Sequence, residues 1–228
     1  MKYARDTAGT AAAGRIGLDE RSVRALLEYK ERGQRAVVQH ALYEHLKAQV
    51  GAPFATPFFL RSLTSNRSLW FVHFSRNWRA RDEIGQIHWR EAQGFADHRG
   101  DPGFQPLGFT PDRIRDPSQL IMDYGFNDPA KGRTVAALVG QVPDLIDTML
   151  RDGQAPTLQA IFERHGGATP VTVPILREHV TRMQTEGELI VRTVEGKERR
   201  IGVQVGSDDR VLRKPQIQFH FPHRTRER

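Results

Sequence analysis

Two kinds of apolar pattern alternate along the first part of the chain. Between residues 18 and 50, apolar positions recur at helical spacing until 51-GAP-53 stops them. The segments 57–63 and 69–75 are instead continuous apolar and aromatic runs, separated by 64-TSNRS-68. Runs of this length on either side of a polar turn predict two antiparallel strands.

A helix-like segment follows the second strand directly, from about Trp78 to Arg90. A buried strand that leads into an amphipathic helix is typical of α/β units. Residues 93 to 132 then carry many glycines and prolines. This composition predicts a connector with little regular structure and one candidate short helix at 118–125.

Helical patterns return near Thr134. One or two helices are predicted over 134–153, and a further helix over 158–167. The segment 172–187 has a stronger pattern, in which Thr172 is a candidate N-cap. Helical order is therefore predicted from Thr134 to about residue 187.

Two strand-like segments, 188–194 and 200–205, follow these helices, and a polar turn at 195–199 joins them. Three helices followed by a hairpin are the element order of a winged helix-turn-helix. In its third helix, Leu176, Val180 and Met183 share the face predicted to be buried. The opposite face carries Arg177, Glu178, Thr181, Arg182 and Thr185.

This arrangement predicts a nucleic-acid interface, because arginine and threonine contact phosphates and base edges, and a basic hairpin tip reaches the adjacent backbone. The candidate nucleic-acid-binding residues are Arg177, Thr181, Arg182, Lys197, Arg199 and Arg200. Glutamates dilute the charge of this region, and a winged helix that serves only as a protein–protein module is the alternative.

The net charge of the chain also favours a nucleic-acid partner. The net charge is +7, which favours an acidic partner such as nucleic acid, although an arginine-rich protein without such a partner has the same charge. The chain contains no cysteine, which excludes disulfides and thiolate catalysis. No apolar run approaches the length of a membrane span, and the N-terminal residues lack the apolar core of a signal peptide. We therefore expect a cytoplasmic protein.

The segment 57-PFFLRSLTSNRSLWFVHFSRNWRARDEIGQIHW-89 resembles the three-Cys-motif partner protein family, whose members join a class I methyltransferase-like domain to a small winged helix. The matching positions are Pro57, Phe58, Arg61, Asn66, Arg67, Phe71, Phe74-Ser75, Arg76 and His88-Trp89. The resemblance covers roughly residues 35 to 205 and rests on pattern rather than on a catalytic signature. It implies that the two strands are the last antiparallel pair of a methyltransferase-like sheet.

The chain departs from that family where the methyl donor would bind. The glycines of 8-AGTAAAGRIG-17 follow no apolar strand, and no βαβ unit surrounds them. We therefore predict an α/β (or α+β) fold with a truncated methyltransferase-like unit and a winged helix, without a catalytic site or cofactor of its own. The predicted divisions are a flexible arm at 1–17, the truncated unit at 18–92, the connector at 93–133, the winged helix at 134–206 and a basic tail at 207–228.

Two alternative functions remain. The chain could be an accessory subunit that completes a split methyltransferase-like enzyme, with an apolar strand edge at 57–75 seeking a protein partner. The lower-ranked alternative is a metal-dependent hydrolase that uses Asp97, His98 and Asp101. The pair His220 and His223 is weak evidence for a metal, and we assign no metal ligand.

A basic, aromatic cluster marks the junction of the second strand and the following helix. Arg76, Arg79 and Arg81 are candidate phosphate-binding residues there, with solvated side chains as the alternative. For the neighbouring Trp78 we predict packing beneath the helix.

Overall fold

In the computed structural model, the described residues are 35–61, 68–91, 96–97, 125–167 and 169–215, together with the helical positions Arg21, Arg24 and Glu28. Over these residues the chain consists of helices and two small antiparallel sheets, which is an α+β arrangement. None of the helices in these ranges is long and apolar enough to span a bilayer.

The first part of the chain forms a three-stranded sheet with helices around it. Its elements are α1 (Arg35–Val50), β1 (Phe54–Arg61), β2 (Ser68–Ser75), α2 (Trp78–Glu91) and β3 (Ala96–Asp97). The strand order is β2-β1-β3, and β1 pairs with both neighbours in antiparallel fashion. The predicted antiparallel pair is confirmed, while β3 is a short strand within the predicted connector.

The second part contains three helices and a two-stranded sheet. Its elements are α3 (Asp128–Arg151), α4 (Leu158–His165), α5 (Val173–Thr185), β4 (Leu189–Arg192) and β5 (Arg210–Arg213). Of the one or two helices predicted over 134–153, the structure has one, the 24-residue helix α3, which begins earlier than predicted. The candidate helix at 118–125 lies almost entirely outside the described residues.

Helix α3 begins inside the segment predicted to be a connector. The side chain of Asn127 caps it by accepting a hydrogen bond of 3.0 Å from the N–H of Ala130. Pro129 lies in the first turn, where a missing N–H removes no helical hydrogen bond. The proline that suggested a connector is therefore part of a helix start.

The predicted strand at 200–205 is wrong. Gly202 has a φ of +85°, which breaks extended structure, and residues 201–203 form a turn. Ile201 on this turn is 62% exposed, so the apolar alternation there does not mark a buried face. The strand that pairs with β4 is β5, which lies in the segment predicted to be a basic tail.

Most of the apolar core belongs to the second part of the chain. Helix α3 contributes Leu138, Val142 and Ile146. Helix α5 contributes Leu176 and Val180, as its helical pattern predicts. Trp78 and Trp89 of α2 pack against this same core. The ring of Trp78 meets that of Phe162 edge-on, with centroids 6.1 Å apart, which confirms its predicted packing role.

Helix α2 is thus shared between the two parts. The indole N–H of Trp89 donates to the carbonyl of Pro170 at 2.8 Å. On its other side, the ring of His88 stacks on Phe58 of β1, with centroids 3.5 Å apart. The predicted boundary at residue 92 therefore does not separate two independent cores.

Candidate nucleic-acid interface

Helix α5 buries one face and presents the other to solvent. Leu176, Val180 and Met183 are buried, as predicted, and His179 and Gln184 are buried beside them. On the solvent side, Glu178, Arg182 and Thr185 are exposed, while Arg177 and Thr181 are half-buried. The predicted division of this helix into two faces is confirmed.

The charges on the solvent face of α5 are partly matched. Lys131 of α3 lies 3.9 Å from the carboxylate of Glu178. The Nε of Arg182 lies 3.8 Å from Glu186, one helical turn away. An exposed pair at this distance contributes about 0.3–0.5 kcal/mol at most, so Arg182 can exchange this carboxylate for a phosphate at little cost.

His179 lies beneath Arg182 and affects its surroundings. Its side chain is 1% exposed, and its Nδ1 lies 3.3 Å from an NH2 group of Arg182. Burial, together with the nearby Arg182 charge, lowers the pKa of His179 to about 4. The imidazole is therefore neutral near pH 7, and Arg182 does not face a second positive charge.

The other candidate cations of the interface lie in the connection between β4 and β5, at and just after a tight turn. The N–H of Thr193 donates to the carbonyl of Lys197 at 2.8 Å, which closes the turn that the sequence predicts at 195–199. Gly196 adopts a φ of +81° at its tip. Lys197 and Arg200 are exposed at and just after this turn.

Arg199 does not serve as a free cation, contrary to its prediction as a contact residue. Its Nε lies 2.5 Å from one oxygen of Asp209, and its NH2 lies 2.7 Å from the other. The Asp209 side chain is almost fully buried. Because the pairing uses both carboxylate oxygens, Arg199 holds the segment before β5 in place rather than pointing toward a partner.

Arg177 also has a structural contact. Its Nε donates to the carbonyl of Val205 at 2.9 Å. A second hydrogen bond, 2.7 Å from the side-chain amide of Gln184 to the carbonyl of Arg199, anchors the same segment to α5. Together these bonds fix the β4–β5 connection relative to the solvent face of the helix.

The three candidate arginines at the start of α2 have different environments. Arg76 and Arg79 are exposed, and the Arg79 guanidinium lies 5.1 Å from the centre of the Trp78 ring. Arg81 is only 1% exposed, which contradicts its prediction as a phosphate-binding residue. Its Nε donates to the carbonyl of Gly167 at 2.8 Å, and its NH2 donates to that of Thr169.

Burial lowers the pKa of the Arg81 guanidinium to about 10, so it stays charged near neutral pH. Its role is to join α2 to the loop between α4 and α5. Sequence reasoning grouped it with its exposed neighbours because spacing within one turn does not reveal which face packs against a distant loop. Two buried carboxylates were also missed because the local pattern does not reveal their partners: Asp82 accepts a hydrogen bond from the N–H of Val173, and Asp209 pairs with Arg199.

The residues proposed for metal chemistry lie mostly outside the described ranges. Only the backbone of Asp97 is described, as the partner of Phe59 in β3, while His98, Asp101, His220 and His223 lie outside the described residues. Among the described residues there is no group of three or more histidine or carboxylate side chains that could hold a metal ion.

No family model matches this sequence, and comparison with curated proteins and with solved structures gives no significant match. The resemblance to the three-Cys-motif partner protein family therefore stays a prediction that rests on the residues quoted for it.

Proposed function

We propose that the protein binds nucleic acid, DNA in the first place, through the solvent face of α5 and the turn that follows β4. In this proposal the second part of the chain is a winged helix, and the first is a truncated methyltransferase-like unit without a donor site. Binding depends on electrostatic contact with phosphates, and the chain carries out no reaction of its own.

The order of elements supports the winged-helix proposal. Three helices precede the β4–β5 sheet, and a short bridge between Thr157 and Arg210 adds a third strand position ahead of α4. Winged helices combine a groove-reading third helix with a hairpin that contacts the flanking backbone. The position of α5 against a core formed by α3 and α4 suits the first of these roles.

The single observation that carries the proposal is the fixed relation between α5 and the basic turn. Arg177 and Gln184 attach the β4–β5 connection to the helix by two hydrogen bonds. Exposed Arg182, Lys197 and Arg200 are thereby held on a preorganised surface. The net charge of +7 adds long-range attraction to a polyanion.

A salt series with a labelled duplex of about 20 base pairs tests this directly. We expect binding at about 20 mM NaCl that weakens steeply by about 200 mM, because displaced counterions drive phosphate binding. Fluorescence anisotropy gives the affinity at each concentration. Absence of binding to duplex DNA and to single-stranded nucleic acid at the lowest salt would sink the proposal.

A triple variant locates the surface. Replacement of Arg182, Lys197 and Arg200 by glutamine removes the three exposed cations of the proposed surface. The slope of log affinity against log salt concentration should then fall by about 1 for each phosphate that the variant no longer neutralises. The matched control removes the same charge elsewhere, through Arg90→Gln, Arg151→Gln and Arg164→Gln. An equal reduction in both triples would indicate attraction by net charge alone and would contradict a defined interface.

One observation favours a second candidate function, that of an accessory subunit. Strand β2 lies at the edge of the described three-stranded sheet, and Phe71 on this strand is 40% exposed. An unpaired edge with apolar side chains is suited to accept a strand from a partner. Hydrogen exchange provides the test, since alternate β2 amides should exchange rapidly in the isolated chain. Slow exchange along all of β2 in a monomer would count against this function.

A further inference from the structure

The outer face of the β4–β5 sheet carries two arginines directly opposite each other. Arg192 of β4 pairs in register with Arg210 of β5, so both side chains lie on one face. Both are exposed, and in the described part of the chain neither takes part in an ion pair or a side-chain hydrogen bond. Like charges directly opposite across an antiparallel pair destabilise a sheet.

The two arginines border a cavity of about 290 Å³. Its walls are about equally polar and apolar, and the apolar part includes Leu150 at the end of α3, Pro156 and Leu212. Val194 also lines it and is 73% exposed, while Leu150 is 47% exposed. Large apolar side chains exposed beside free cations are characteristic of binding surfaces rather than of solvated ones.

We propose that this cavity binds a carboxylate attached to an apolar side chain. The carboxylate lies between Arg192 and Arg210, whose planar guanidinium groups suit a two-oxygen anion. The apolar group contacts Leu150 and Leu212. The cavity volume is at the lower end of the range for ligand sites, which limits the bound part to about one residue.

Charge complementarity selects this ligand class over a phosphate backbone. Glu195 also lines the cavity and is exposed, so the site is less positive than two arginines alone would make it. A nucleic-acid backbone would place several phosphates along this rim and gain nothing from Leu150 and Val194. A single carboxylate with an apolar group matches both the cations and the walls.

The same chemistry has two sources, a free carboxylic acid and the carboxyl terminus of a peptide that ends in an apolar residue. The site uses neither the α5 face nor Lys197 and Arg200, so it stands or falls independently of the proposed nucleic-acid interface. In the described residues, nothing compensates the repulsion between Arg192 and Arg210. Such repulsion within a sheet is expected where a bound ligand supplies the compensating contact.

Titration with N-acetyl-leucine tests the proposal, with the side-chain Nε–H signals of the arginines followed by NMR in the whole protein. We expect Arg192 and Arg210 to shift together, and Arg192→Gln or Arg210→Gln to weaken binding by about tenfold. Arg90→Gln, which removes an exposed arginine outside the cavity, is the matched control and should leave the affinity unchanged. A hexapeptide that ends in leucine identifies the source of the carboxylate, and the same peptide with an amidated carboxyl terminus is its control. Tighter binding of the free-terminus peptide than of N-acetyl-leucine assigns a peptide terminus. Weaker binding assigns a small acid.

Three outcomes would overturn the proposal. The first is no shift of either arginine at the solubility limit of N-acetyl-leucine and of the peptide. The second is equal binding of N-acetyl-leucine amide, which lacks the charge. The third is a shift of Arg192 and Arg210 with duplex DNA but not with the carboxylates, which would assign these residues to a nucleic-acid surface. The variants are informative about binding because removing one of two facing like charges should not unfold the sheet.

Discussion

The carboxylate of Asp82 caps a helix that begins far along the chain. Its Oδ1 accepts a hydrogen bond of 2.6 Å from the N–H of Val173, the first residue of α5. Its Oδ2 accepts one of 2.8 Å from the side chain of Gln86. Thr172 occupies the N-cap position but makes no side-chain hydrogen bond to the helix, so its predicted capping role is wrong. The negative charge also complements the positive end of the helix dipole.

Asp82→Ala should therefore destabilise the protein. The variant leaves the buried N–H of Val173 without an acceptor, at a cost of about 1–3 kcal/mol. Thr172→Val, which preserves shape and removes only the hydroxyl, should cost clearly less. Urea unfolding followed by circular dichroism measures both, and a larger loss of stability in Thr172→Val would show that the cap belongs to Thr172 after all.

The capping contact illustrates what the sequence alone could predict. Periodicity located the buried stripe of α5 correctly because Leu176, Val180 and Met183 are spaced along one helical face. The cap of that helix was misassigned because Asp82 is remote in sequence, and local signals favoured the adjacent threonine. Patterns within one element were predictable, whereas contacts between elements were not.

Replacement of a helical glycine by alanine should change the stability of the protein in opposite directions in α2 and in α3. A Cβ added to Gly85 in α2 would lie 2.6 Å from the NH1 of Arg81 and 3.0 Å from a methyl carbon of Thr172. Arg81 cannot move aside cheaply, because backbone carbonyls hold its guanidinium. Gly85→Ala should therefore cost about 1–3 kcal/mol, despite the better helix propensity of alanine.

Gly140 in α3 is the matched control. No atom of the described residues lies within 4 Å of a Cβ added there, so we expect helix propensity to decide the effect. Gly140→Ala should stabilise the protein by about 0.5–1 kcal/mol. Thermal unfolding of both variants measures the difference, and stabilisation by Gly85→Ala would mean that Arg81 is not fixed against α2.

Arg81 and Arg79 should differ sharply in their contribution to stability. Arg81→Ala leaves the carbonyls of Gly167 and Thr169 without this donor and opens a gap beside Phe162, at a cost of about 2–4 kcal/mol. Arg79→Ala removes only an exposed contact with Trp78, worth at most about 1 kcal/mol. Chemical denaturation compares them, and similar losses of stability would contradict the structural role of Arg81.

The error at 200–205 has a related physical cause. Ile201, Val203 and Val205 alternate like strand residues, yet only Val205 is buried. The true strand β5 has four residues and begins and ends with an arginine, so it is too short and too charged to stand out from a basic tail. Burial of Val211 against the helical core, which the local pattern does not reveal, accompanies the pairing of this segment with β4.

The buried imidazole of His179 makes stability depend on pH. Its pKa is lowered from 6.5 to about 4 in the folded protein, first by burial and then by Arg182. The unfolded chain therefore binds a proton more readily, and this contribution to stability is complete above about pH 6.5 and is lost as the pH falls toward 4. Between about pH 7.5 and about pH 5 the loss from this group alone is about 2 kcal/mol. Burial also lowers the pKa of His73, His88 and His165, so wild-type protein should show a larger total loss of stability.

Urea unfolding of wild type and His179→Gln across this pH range isolates the contribution of His179, because the variant cannot be protonated at this position. We expect its stability to fall less steeply with acid than that of wild type, and parallel curves for the two proteins would show that His179 does not titrate with a lowered pKa.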